Sequence, residues 1–169
     1  NPETLRDRAL ILLGWAAALR RVDLQILRWQ HLTNVDEGIL LYLPFSKTDR
    51  SGKGRQIGIP YGRNRWSCPV TAVHAWRDHV SAQLSDAQLA DAPVFVPLGR
   101  SGAIASRPMS TAAISAVLER RARLAGLEGR YGGRSLRSGL ITSASEAGAS
   151  MEEIQAVSGH QSLESLIRY

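Results

Sequence analysis

The chain has one cysteine, two phenylalanines and two methionines. It also carries only two lysines, Lys47 and Lys53, against 19 arginines. The single cysteine, Cys68, excludes an internal disulfide and fits a reducing compartment. Ahead of Pro69 it reads as a small buried residue. It does not combine with His31, His74 and His79 into any standard zinc spacing, and His74 and His79 are off the i, i+4 face, so no metal is expected. Long apolar runs are also missing. The longest, Ala9 to Leu19, is too short to span a bilayer and contains Gly14, so no membrane partner is expected. No signal-peptide pattern is present, which points to the cytoplasm, and the Asn1-Pro2 start suggests that a preceding segment belongs to the protein.

At 169 residues, with 44% hydrophobic and 21% charged residues, the composition is that of one globular domain with its own core. The net charge of +6 and pI near 10.2 favour a polyanionic partner. Arginine suits phosphate through its planar fork, although a GC-rich coding sequence gives the same bias. Only the loop holding Lys47 and Lys53 can supply an ammonium.

Asn1-Pro2-Glu3 opens a helix to Leu19, apolar nearly all round from Ala9 and therefore central. A short helix follows at Val22 to Leu27. Gly38 to Phe45 and Arg55 to Pro60 read as strands, joined by the polar hairpin loop Ser46 to Gly54. Cys68-Pro69 opens a helix to Leu84, with Val70, Val73, Trp76 and Val80 on one face. Ala92 to Leu98 is extended, Ser110 caps a helix to Ala125, and helix resumes from Ser135 to Ala147. Ser150 and Glu153 form a capping box for a helix to Val157, and Ser162 begins a last helical stretch. The four tryptophans read as core or hairpin packing. The fold class is α+β and mostly helical, with one small antiparallel sheet.

Metal-free phosphodiester cleavage needs an in-line nucleophile, cations on the non-bridging oxygens and an acid for the leaving oxygen. Four segments offer these parts: Ala18-Leu-Arg-Arg-Val-Asp-Leu24, Arg134-Ser-Leu-Arg137, Ser158-Gly-His160 and Tyr169. Taken singly they are ordinary: arginines at a helix end, a packing histidine, a terminal aromatic. Taken in order, with nine positions from His160 to Tyr169, they resemble the tyrosine recombinase (phage integrase) family, over about Thr4 to Tyr169.

The resemblance implies a catalytic domain that cleaves and rejoins double-stranded DNA through a 3′-phosphotyrosyl intermediate, with no metal or nucleotide cofactor. Arg20 and Arg137 match the arginines that clamp the scissile phosphate, and His160 a further donor to it. Asp23 matches the family's acidic residue and would orient a neighbouring base. Lys47 matches the hairpin lysine, the general acid for the leaving 5′-oxygen, since an ammonium releases a proton where a guanidinium does not. Tyr169 matches the nucleophile. Lys53 and Arg55 are further candidates for contact with the DNA backbone. Arg134 departs from the family pattern, which has histidine, sometimes lysine, three residues before the second arginine. An arginine there effectively never accepts the tyrosine proton. The resemblance further implies a preceding helical domain, a segment after the tyrosine and a homotetramer on DNA. This chain alone is expected to be monomeric and nucleoid-associated. Two rival readings are a non-catalytic helix-turn-helix regulator built on residues 135 to 160, and a type IB topoisomerase. The first leaves Arg20 and the Lys47 hairpin unexplained.

Overall fold

The structure is a computed structural model and describes residues 1–44, 54–160 and 166. Helix α1 (Pro2–Ala16) starts where the sequence asks it to: Pro2 stands in the first turn and Asn1 Oδ1 accepts the Glu3 amide at 2.9 Å. It buries Ala9, Leu10, Leu13 and Gly14, a stripe at helical spacing. It ends earlier than Leu19 because Ala18 adopts a left-handed conformation, φ 50°. The Ala18 amide returns to Trp15 O at 3.1 Å and the Leu19 amide to Gly14 O at 2.8 Å. This is the paired closure that usually has glycine at the left-handed position.

Helix α2 (Arg21–Ile26) follows directly. A sheet of three antiparallel strands in the order β1 (Leu32–Val35), β2 (Gly38–Leu43), β3 (Arg55–Pro60) comes next. β1 carries too little apolar character to be read from sequence: three of its four residues are exposed. In β2 and β3 the period of two places Ile39, Leu41, Leu43, Ile57 and Ile59 inward, with Ile39 paired to Ile59 and Leu41 to Ile57. Helix α3 (Pro69–Ser81) turns Val70, Val73, Trp76 and Val80 into the core, and the Trp76 indole donates to Val94 O at 2.7 Å. Helix α4 (Asp86–Asp91) has its own Ser85 cap and falls between Leu84 and Ala92, where no element was expected. Helices α5 (Thr111–Leu124), α6 (Ser135–Glu146) and α7 (Met151–Ser158) fall within a residue or two of their capping signals. The expected helix from Ser162 lies outside the described residues.

Two of the four tryptophans correct the packing expectation. Trp29 and Trp76 are buried, but Trp15 is 40% exposed and Trp66 79%. Trp66 instead lies beside the Arg8 guanidinium, 5.8 Å from its ring centre. Cys68 is buried as expected and also caps α3, its Sγ accepting the Thr71 amide. Among the described residues no helix is long and apolar enough to cross a membrane.

α1 is the hub, packed on α3 along one side and on α6 along another. Near its base the buried Asp7 carboxylate receives Arg6, Arg120 and Arg121, which fastens α5 to α1. Near its other end Gly14 lets α6 approach. A Cβ at residue 14 would meet Leu136 Cδ1 at 2.5 Å and Leu24 Cδ1 at 3.4 Å. Gly14→Val should therefore overpack this junction, lowering stability by about 1–3 kcal/mol in urea unfolding. A change below a few tenths would mean that α6 is not seated on α1 as described.

Candidate functional site

The site forms where the ends of α1 and α7 meet the starts of α2, α6 and β3. The closure at Ala18 directs its carbonyl toward α6, where Arg137 Nη1 donates to it at 3.0 Å. Arg137 lies in the first turn of α6 and is only 2% exposed. Nη1 also donates to Ser158 O at the end of α7, and Nη2 lies 3.2 Å from His160 Nδ1 and 3.1 Å from Nε2. Being nearly equidistant from both ring nitrogens, Nη2 presses its charge against the imidazole rather than lining up with one lone pair.

His160 is placed by the way α7 stops. Gly159 is left-handed, φ 65°, and returns its amide to Gln155 O at 2.7 Å. The Gln155 side chain then donates to His160 O at 2.7 Å, and Ser158 Oγ stands 2.8 Å from His160 Nδ1. Burial together with the neighbouring charges of Arg137, Arg20 and Arg55 pushes the His160 pKa down to about 4. The ring is therefore neutral near pH 7.

Arg20 precedes α2 and is half-buried. Its amide donates to Asp23 Oδ2 at 2.8 Å, so the buried Asp23 fixes the backbone that carries Arg20. Arg55 opens β3 on the same face as Ile57 and Ile59, and its guanidinium turns inward, Nη1 donating to Val157 O at 2.6 Å. Burial lowers its pKa, with Asp23 opposing and Arg20 adding to the effect. Arg134 is exposed at the N-cap of α6, and its side chain makes no hydrogen bond or ion pair among the described residues. The loop before it is nonetheless pressed onto the Arg20 segment: a Cβ on Gly133 would meet Arg21 Cδ at 2.5 Å.

Of the residues singled out in the sequence, Arg20, Asp23, Arg55, Arg137 and His160 thus converge, and Arg134 borders them. Lys47, Lys53 and Tyr169 lie outside the described residues. Leu166, three positions before Tyr169, is buried with Ile141 and Ile154 between α6 and α7. Sequence reading missed three contributors: the Ala18 carbonyl, the Ser158 hydroxyl and the inward turn of Arg55. Ser158 stood in the quoted motif, but nothing in sequence says which way a hydroxyl faces. The other histidines have separate engagements: His31 accepts the Arg28 amide, His74 meets Asn34 and His79 meets Gly102 O. No group of three or more metal-binding side chains occurs among the described residues.

A buried arginine, a half-buried arginine and a neutral imidazole at one place, with no acid in the first turn of α6, make a receptor for a tetrahedral oxyanion. The phage integrase family model matches residues 1–169. The chain belongs to that family. It is 34% identical over 166 residues to an "Integrase/recombinase xerD homolog" of Selenomonas ruminantium, covering 98% of this chain and 47% of that protein. The chain thus spans about half the length of that relative. Its fold matches that of XerA recombinase with a TM-score of 0.73 at 18% identity, covering 98% of this chain and 51% of that one. It also matches XerH site-specific recombinase, solved with its difH substrate before cleavage, with a TM-score of 0.71 at 15% identity over 99% of this chain and 43% of that one.

In this family member the depressed His160 pKa has a stability consequence. The unfolded chain takes up the histidine proton below pH 6.5, whereas the folded site resists it down to about 4. Protonation thus favours unfolding as pH falls through that window. Urea midpoints should therefore drop less between pH 7 and pH 4.5 in His160→Gln than in the parent. Equal drops would show that His160 is not held neutral.

Proposed function

We propose that this chain is the DNA-cleaving part of a site-specific tyrosine recombinase, acting on double-stranded DNA through a covalent 3′-phosphotyrosyl intermediate. The observation that carries the reading is Arg137, which joins the Ala18 carbonyl beside Arg20 to His160 in a member of the phage integrase family. In the mechanism, Arg20 and Arg137 take the non-bridging oxygens of the scissile phosphate and stabilise the charge that grows there. With Ser158 donating to Nδ1, the neutral His160 carries its proton on Nε2 and donates it in a hydrogen bond to the same phosphate. Tyr169 attacks phosphorus while the 5′-oxygen leaves, taking its proton from Lys47. The phosphotyrosine ester conserves the bond energy, and a 5′-hydroxyl reverses the step to rejoin a strand. No metal enters this sequence.

Two further features favour a phosphate at this place. Helix N-termini carry partial positive charge, yet α6 begins with Arg134 and Arg137, an arrangement that an anion relieves. XerH was solved with its difH DNA, and lambda integrase as a dimer bound to a core site. For the full-length protein we extend the proposal to a homotetramer on DNA, in the cytoplasm and associated with the nucleoid. The chain by itself is a monomer that binds DNA weakly and with steep salt dependence.

A nicked suicide duplex carrying the recombination site tests the reading. The full-length protein should form a covalent adduct that survives denaturation and is insensitive to EDTA. Tyr169→Phe should abolish the adduct with little change in affinity, and Arg137→Lys should slow it by about 10²–10³-fold. Joining of two specific sites identifies a recombinase, whereas relaxation of supercoils without site preference identifies a topoisomerase. Binding with no adduct at all identifies a regulator. Arg134→His, which restores a proton acceptor, should speed adduct formation by up to about 10²-fold. An unchanged or slower rate would show that arginine is adapted to the site.

A further inference from the structure

We propose that Arg55 is a positioning residue of this site: from β3 it grips the last turn of α7 and so sets where His160 stands against Arg20 and Arg137. The proposal rests on the recombinase reading for its effect on rate, but not for its effect on His160. The alternation of β3 places Arg55 on the core-facing row with Ile57 and Ile59, while Gln56, Gly58 and Pro60 face out. The row therefore ends in a guanidinium where an apolar side chain would continue it, and that guanidinium meets α7.

Nη1 donates to Val157 O at 2.6 Å. The guanidinium also lies close against Gly159. A Cβ on residue 159 would stand 2.5 Å from Nη1, 2.9 Å from Cζ and 3.1 Å from Nε. Glycine is thus required there twice, once for its left-handed φ and once for the space that Arg55 occupies. Nη2 is buried and has no hydrogen-bond partner among the described residues. Leaving a buried donor of a charged group incompletely bonded is costly. The protein contact that the side chain does make is the one with α7, and its proposed role lies in that contact.

Among the described residues, the charged groups that act on His160 are Arg137 of α6, Arg20 ahead of α2 and Arg55 of β3; Asp23 acts on Arg55. Arg55 is among those that hold the imidazole neutral. Its removal should loosen the position of His160 and ease its protonation together.

The test compares Arg55→Gln and Arg55→Lys with the parent chain. His160 is titrated by NMR, covalent adduct formation is followed on the suicide duplex, and duplex affinity is measured alongside. Arg55→Gln should raise the His160 midpoint measurably. It should also slow adduct formation by about tenfold or more, with affinity within about twofold of the parent. A His160 midpoint unmoved in Arg55→Gln overturns the proposal, and so does an affinity loss that matches the rate loss, which would make Arg55 a plain DNA contact. Should Arg55→Gln fail to fold, Arg55→Lys decides. It keeps the charge without the fork, so an intermediate rate at parental affinity supports the proposal, and rate and affinity falling together overturn it. If the parent itself forms no adduct, the recombinase reading fails, while the His160 titration still decides the role of Arg55.

Discussion

The Arg137 guanidinium is the point on which the rest of the site depends. One buried side chain on α6 takes the carbonyl that ends α1, the carbonyl that ends α7 and the ring of His160. Ala18 is far in sequence from Ser158 and His160, and Arg137 joins the two places. A lysine would offer the same charge but not the planar fork that reaches several acceptors in fixed directions. The backbone is adapted to this one residue. Ala18 accepts a left-handed conformation, which costs an alanine on the order of 1 kcal/mol, and that conformation sends its carbonyl toward Arg137. Gly14 removes a side chain so that the helix bearing Arg137 can lie close enough.

The second constraint is electrostatic crowding. Arg20, Arg55 and Arg137 lie within mutual influence, and the nearest buried acid is Asp23, already engaged with the Arg20 amide. Burial and the repulsion among positive groups so placed both favour a neutral His160 near pH 7. A neutral imidazole costs nothing in repulsion and still has an N–H to offer. The same crowding implies that a dianionic or monoanionic oxyanion entering the site stabilises the fold as it binds.

Much of this was legible in the sequence because it is local. Asn1, Ser110 and Ser150 announce helix starts by chemistry that acts within three residues, and the alternation in β2 and β3 follows from which side chains must be dry. The ordered motifs were legible for a different reason: they matched a known pattern, which brings Arg20, Arg137 and His160 together without deriving it. What stayed hidden depends on tertiary direction. β1 is mostly exposed, so no burial pattern marks it. Trp66 looks like a core residue until its neighbours are known. The left-handed turn at Ala18 has no glycine to signal it. The inward turn of Arg55 could have been suspected from its place in the Arg55-Gln-Ile-Gly-Ile alternation, but charge outweighed position in the sequence reading.

Arg134 gains meaning from the surroundings of Arg137. Both occupy the beginning of α6, but one is buried and hydrogen-bonded to the protein, while the side chain of the other is exposed and makes no hydrogen bond or ion pair among the described residues. A guanidinium at a helix N-terminus opposes the helix dipole, and no hydrogen bond to the protein offsets it there. As a proton acceptor it has no use, because it is never deprotonated under ordinary conditions. Its one favourable state is contact with an anion that also faces the α6 dipole. In the mechanism proposed above, arginine at this position trades proton transfer for electrostatic attraction. On that reading the site draws a phosphate in more strongly than a histidine would, and the tyrosine proton goes to solvent or to another group.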